Sequence, residues 1–112
     1  MGGGSKIVQG VSEISLNRLK NRFLGLKDRT TGEIRVKVFG SRTKGTHRPE
    51  SDLDICILAE DISVFKTDRC AKIVKTILED FFIETGIKVD LTIITPHDMP
   101  YMKFSWSDLK DF

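Results

Sequence analysis

The stretch VFGSRTKG at residues 38–45, followed by SDLDI at residues 51–55, decides the fold and the chemistry expected of this chain. It places Gly40 and Ser41 directly after an alternating apolar run that predicts a strand. A glycine lets the backbone turn tightly and approach a ligand, while exposed N–H groups and the serine hydroxyl bind phosphate oxygens well. The pair therefore indicates a place suited to the phosphates of a nucleotide.

Three aspartates are the strongest chemical signal. Asp52 and Asp54 are two residues apart in the second predicted strand, so their carboxylates point to the same face. Like charges this close repel, and hard oxygen ligands of this kind suit Mg²⁺. Asp90 lies inside a third apolar run, where a lone charge is costly to bury. A shared metal site explains all three; the alternative is a turn cap at Asp52 and solvent exposure of the other two.

Basic residues crowd the loop between the first two strands. Arg42 and Lys44 are nearest to the Gly-Ser pair and are candidate phosphate contacts, with His47 and Arg48 further along. The alternative is an ordinary solvated loop.

Working outward, apolar periodicity and turn residues predict the remaining elements. Ser12 or Ser15 is the expected cap of the first helix, and Gly86 the expected C-terminal cap of the second. The chain order is a helix over residues 11–26, strands over 33–39 and 52–58, a helix over 67–85, a strand over 87–94 and a short final helix over 101–112.

This order predicts an α+β fold, an α/β sandwich in which helices flank a small mixed sheet of about three strands. The 112 residues suffice for one domain with a single core. Residues 1–5 are expected to be a flexible leader or a remnant of cloning, which leaves residues 6–112 as the domain.

The composition narrows the class of protein. Hydrophobic residues are 39%, charged residues 30% and the net charge is +2, which is typical of a globular chain without a polybasic anchor. No run has the length of a membrane span and no signal peptide is evident, so the cytoplasm is the expected location. Cys56 and Cys70 lie among apolar residues and are expected to be buried thiols.

The string from Phe39 to Ile55, Phe-Gly-Ser-Arg-x-x-Gly-Thr-x-Arg-Pro-x-Ser-Asp-Leu-Asp-Ile, resembles the signature of the DNA polymerase beta-like nucleotidyltransferase superfamily. It is most similar to that of the minimal nucleotidyltransferases, and the resemblance extends with Asp90 to the third strand. The resemblance implies a nucleotidyltransferase fold and transfer of an NMP, with ATP as the expected donor, to a hydroxyl with release of pyrophosphate.

The resemblance also implies roles for individual residues. Gly40 and Ser41 would hold the β- and γ-phosphates, with Arg42 and Lys44 as further nucleotide contacts. Three carboxylates would act as metal ligands and catalytic groups for two Mg²⁺ ions, which Mn²⁺ can replace. Of these, Asp90 would help to deprotonate the attacking hydroxyl; the set is Asp52, Asp54 and Asp90.

The acceptor implied by the resemblance is a macromolecule, because the chain is too short to carry a second substrate-holding domain. The small size and near-neutral charge favour a partner protein, as in antitoxins that adenylylate a HEPN-type toxin. The basic loop favours the alternative of a toxin-type enzyme that modifies tRNA ends. A third alternative is a module that binds a nucleotide without catalysis.

Overall fold

The computed structural model describes residues 7–29 and 32–112; the leader expected at residues 1–5 lies outside them. Three α-helices and three strands are found in this part of the chain, together with four short 3₁₀ helices. The α-helices are α1 (Glu13–Leu24), α2 (Ser41–Lys44) and α3 (Asp68–Thr85), the strands are β1 (Ile34–Phe39), β2 (Leu53–Ala59) and β3 (Val89–Ile94), and the 3₁₀ helices are Gly25–Arg29, Ser63–Lys66, Pro96–Tyr101 and Trp106–Asp108.

The strands form one mixed sheet in the order β1, β2, β3. β1 is antiparallel to β2, and β3 is parallel to β2 because α3 returns the chain to the same end of the sheet. The α+β fold with a three-stranded mixed sheet is therefore confirmed.

One face of the sheet packs against α1 and α3. The alternating residues predicted to point inward, including Val36, Val38, Ile55 and Ile57, are buried there. The two helices contribute buried residues at helical spacing, namely Leu16, Leu19, Phe23, Ile77 and Phe81.

The predicted caps lie at the start of α1 and at the end of α3. The Ser12 hydroxyl accepts a hydrogen bond from the Ser15 N–H (3.1 Å), so Ser12 caps α1. Thr67 caps α3 by accepting from the Cys70 N–H, and Gly86 ends it in the left-handed conformation at φ 73°. The first helix ends at Leu24, and the last predicted turns are a 3₁₀ helix.

The prediction of a final helix over residues 101–112 is wrong. The segment begins at the end of the 3₁₀ helix Pro96–Tyr101 and then contains one 3₁₀ turn, Trp106–Asp108, with a capping box of Ser105 with Asp108. Met102 and Ser105 have extended backbone conformations, which interrupt a continuous helix. Pro96 and Pro100 also prevent a continuous helical hydrogen-bond ladder. Beyond them, Lys110 bridges to Val38 by hydrogen bonds in both directions (2.9 and 2.8 Å).

This C-terminal segment covers much of the second sheet face. There Cys56, Leu58 and Ile94 are buried together with Met99, and Phe104 packs on Phe39 with ring centroids 4.2 Å apart. At the start of β2 the same face carries Asp54, which is in register with Phe39.

The structure also bears on the two cysteines and on membrane-spanning helices. Cys56 and Cys70 are buried thiols, as predicted. Within the part of the chain that the structure describes, no helix is long and apolar enough to cross a membrane.

Candidate functional site

The turn after β1 is shaped around Asp54. Gly40 has φ 86° and ψ −163°, a region that side chains with a Cβ rarely adopt. A Cβ built on Gly40 would overlap the Asp54 carboxylate, so only glycine fits here. The absence of that Cβ brings the backbone between β1 and α2 directly beside a carboxylate of the next strand.

The short helix after the turn fixes the orientation of this loop. The Gly40 carbonyl accepts hydrogen bonds from the Thr43 N–H (3.1 Å) and the Thr43 hydroxyl (2.8 Å). Gly45, at φ 75°, ends the turn in the left-handed conformation. The loop between β1 and β2 thus contains one short helical turn, and Ser41 lies at its start.

Two of the three predicted carboxylates lie side by side. Asp54 is in register with Phe39 on one side and with Asp90 on the other. Neighbouring parallel strands are about 4.8 Å apart, so the Asp54 and Asp90 carboxylates face each other on one side of the sheet. Asp54 is half-buried, Asp90 is exposed, and the exposed Asp52 immediately precedes β2.

The surroundings of Asp54 disfavour the ionised form of its carboxyl group. The pKa of Asp54 is raised to about 6, first by burial and then by the charges of Asp90 and Asp52 and a hydrogen bond with Asp90. A proton shared by neighbouring carboxylates relieves the repulsion that a bound cation would also relieve.

The donor set fits a divalent cation. Asp54 and Asp90 present hard oxygen ligands to one point beside the Gly40 turn, and Asp52 is close enough to act on Asp54 electrostatically. Over residues 7–29 and 32–112, no three potential ligands are already gathered as a metal site. The chain therefore brings together a pair, with the third carboxylate at the edge of the same group.

The prediction that the Arg42 side chain contacts phosphate needs correction. Arg42 is only 2% exposed, and its guanidinium donates to the carbonyl oxygens of Ser51 (3.1 and 2.9 Å), Pro49 (3.1 Å) and Gln9 (3.0 Å). Carbonyl oxygens from two distant parts of the chain thus surround the charge. Arg42 ties the loop before β2 to the N-terminal segment, and its side chain does not face the carboxylates.

Lys44 does face an open pocket. The pocket has a volume of about 180 Å³, begins at Gly40 and is lined on its far side by the C-terminal segment. We call it the Gly40 pocket; its residues are Phe39, Gly40, Lys44, Lys103, Phe104 and Asp108.

The charges in the Gly40 pocket are mixed. The Lys44 ammonium lies 4.0 Å from the Asp108 carboxylate. Hydrogen bonding to the Ser105 backbone N–H lowers the pKa of Asp108, so this carboxylate is held in its charged form. Lys103 was not predicted from the sequence. Its position depends on the packing of Phe104 on Phe39, a contact between residues far apart in the chain.

Comparison with known proteins agrees with this geometry. The family model described as polymerase beta, nucleotidyltransferase, matches residues 28–107. The chain therefore belongs to the polymerase beta family of nucleotidyltransferases, a family of enzymes.

Two similar proteins extend the comparison. A proposed protein adenylyltransferase of Methanocaldococcus jannaschii, MJ1305, is 28% identical over 91 residues, which are 80% of this chain and 61% of that relative. The chain thus spans about three fifths of the relative's length. The crystal structure of a proposed nucleotidyltransferase from Sulfolobus solfataricus is 18% identical with a TM-score of 0.48, over 90% of this chain and 87% of that one.

Proposed function

We propose that the chain catalyses Mg²⁺-dependent transfer of AMP from ATP to a hydroxyl of a partner protein. The observation that carries this proposal is the position of Asp54 between the Gly40 turn and Asp90. It brings a tight backbone turn suited to phosphates and a pair of metal-ligating carboxylates to the same point.

In this reaction the acceptor oxygen forms a bond to the α-phosphorus, the bond to the β-phosphate bridge breaks, and pyrophosphate leaves. The Gly40 turn and the Ser41 hydroxyl hold the β- and γ-phosphates, with Lys44 as a further cation. Asp52, Asp54 and Asp90 would hold the metal ions. When bound, two divalent cations neutralise the phosphate charge and favour the ionised form of the acceptor hydroxyl.

Asp90 has a second role in the proposal. Asp90 is more exposed than Asp54 and lies on the edge strand, so an acceptor hydroxyl reaches it from solvent. Its carboxylate oxygen accepts the hydroxyl proton as the acceptor attacks.

A protein is favoured as the acceptor for two reasons. The Methanocaldococcus jannaschii relative bears the name of a protein adenylyltransferase. The buried guanidinium of Arg42 also removes one cation from the loop whose basic residues favoured tRNA. An antitoxin in the cytoplasm that modifies a HEPN-type toxin is the biological role we propose, and modification of tRNA ends is the second candidate.

The test is to incubate the protein with Mg²⁺, cell extract and ATP labelled on its α-phosphate, and then to treat the products with protease or ribonuclease. Label released by protease and absent with Asp54→Asn supports the proposal. Label released only by ribonuclease supports the tRNA alternative. Nucleotide binding without any transferred label indicates the non-catalytic module.

A further inference from the structure

Helix α3 carries an apolar surface that the fold does not use. Its buried face packs on the core through Cys70, Ile77 and Phe81, whereas Phe82 is 53% and Ile83 is 82% exposed. These two side chains border an open groove of about 440 Å³ between the C-terminal half of α3 and the start of β3. We call this the α3–β3 groove; its residues are Leu78, Glu79, Phe82, Ile83, Lys88 and Val89.

The groove is continuous in sequence with the catalytic carboxylates. Val89 points toward the helices, and the next residue, Asp90, points to the opposite face of the same strand. β3 ends the sheet, with no further strand beside it among the described residues. A segment that lies in the groove and passes over this edge therefore reaches Asp90 within a few residues.

The chemistry of the groove selects the kind of occupant. Its walls are apolar apart from one acid and one base, and Glu79 is 3.9 Å from Lys75, which partly balances its charge. In the described residues Lys88 makes no ion pair. A nucleic acid needs several cations along its backbone, which this groove lacks.

We propose that the α3–β3 groove is the docking site for the acceptor protein. It receives an apolar side chain against Phe82 and Ile83 and an acidic side chain at Lys88. This inference rests on the proposed transfer of AMP to a protein hydroxyl, and it assigns acceptor recognition to a surface on the other side of β3 from the carboxylates.

Two synthetic peptides that differ only in the residues flanking a tyrosine and a glutamate test the groove. Each carries one tyrosine and one glutamate, and the flanking residues are leucine and phenylalanine in one and serine in the other. With ATP labelled on the α-phosphate, we expect the KM of the apolar peptide to be about ten-fold lower, since one buried apolar side chain contributes an effect of this size.

Matched variants locate the effect. Ile83→Glu is expected to remove the preference, and Ile14→Glu, at a residue 69% exposed on α1 and outside the groove, is expected to preserve it. Equal KM values for the two peptides with the unaltered protein, or a preference that survives Ile83→Glu, overturns the docking site.

Binding measured without turnover separates this proposal from the proposed reaction. Fluorescence anisotropy of the labelled apolar peptide is expected to show binding that Ile83→Glu weakens about ten-fold. If this holds while no peptide is modified, the docking site stands and the reaction fails. If bulk tRNA is modified and the peptide does not bind, or if the protein is a dimer that Ile83→Glu dissociates and that excludes the peptide, the docking site is wrong.

Discussion

The two sides of Asp54 differ in the size of the adjacent pocket or groove, in its charged residues and in how far it is covered. On the β1 side lie the Gly40 turn and a small pocket with Lys44 and Lys103, closed by the C-terminal segment. On the β3 side lies Asp90 at an open sheet edge, beside a larger apolar groove. The β1 side suits a small, charged ligand of constant shape, and the β3 side suits a large partner.

This difference follows from how each side is built. The β1 side depends on a glycine conformation and on packing of Phe104 against Phe39, which leave little freedom. The β3 side has no covering element among the described residues, which leaves this edge open for the proposed acceptor protein. Four experiments test this contrast, in decreasing order of the expected effect.

Asp90→Asn is expected to separate nucleotide binding from transfer. ATP affinity stays close to that of the unaltered protein because the β1 side holds the phosphates. The transfer rate falls by about 10²- to 10⁴-fold, the usual range for losing a positioned proton acceptor. Titration calorimetry and initial rates measure the two quantities. Asp61→Asn, an exposed acid on a loop outside the site, is the control and keeps both values.

A variant that binds ATP and transfers AMP normally would remove Asp90 from the mechanism. It would also contradict the proposal that the β1 side binds the nucleotide while Asp90, on the β3 side, acts in the transfer step.

Gly40→Ala is expected to damage the β1 side. The new Cβ overlaps the Asp54 carboxylate and forces a side chain into a glycine conformation, which costs about 1–3 kcal/mol in the free energy of unfolding before any loss of ATP affinity. Gly25→Ala is the matched control, because Gly25 has φ −62° and open space around its Cα.

Denaturant unfolding and ATP titration of both variants check this expectation. Equal stability of Gly40→Ala and Gly25→Ala would show that the turn relaxes without consequence, and the tight approach to Asp54 would lose its importance.

The pH dependence of the metal-free protein is expected to report on Asp54. Its pKa is raised to about 6, so the folded chain holds this proton more tightly than the unfolded chain does. The stability contributed by that proton is complete below the unfolded pKa of about 3.9 and is lost as the pH rises through about 6. Asp54→Asn keeps a neutral side chain and is therefore more stable than the parent only at the higher pH.

Denaturant unfolding in EDTA across this range measures the effect. Mg²⁺ affinity is expected to rise over the same pH interval, because the cation displaces the proton. A constant stability difference between Asp54→Asn and the parent at every pH would contradict the raised pKa.

Lys103→Ala is expected to have the smallest effect. Removing one exposed cation from the Gly40 pocket weakens ATP binding by about two- to five-fold, the scale of a surface charge pair, and added salt reduces the difference. Lys72→Ala, an exposed lysine on α3, is the control. An ATP affinity that is the same in both variants would exclude Lys103 from phosphate binding.

Local patterns predicted most of the framework. The alternation around Val36, Val38 and Ile55 predicted the inward faces of the strands, and Ser12 and Gly86 were predicted as helix caps, because these signals act between residues close in sequence. The prediction of a final helix was wrong because the backbone is extended at Met102 and Ser105, and a capping box at Ser105 starts a separate short turn. The catalytic roles of Asp52, Asp54 and Asp90 stay predictions.

Residue spacing was enough to predict the family and the glycine and aspartates of the candidate site, since their placement on a strand and in a tight turn is a local property. The arrangement of the basic loop depends instead on long-range contacts. Arg42 turns inward because the carbonyl oxygens of Gln9, Pro49 and Ser51 converge on it, and Lys103 reaches the Gly40 pocket because Phe104 packs on Phe39. Such contacts join residues far apart in the chain, so no local pattern encodes them.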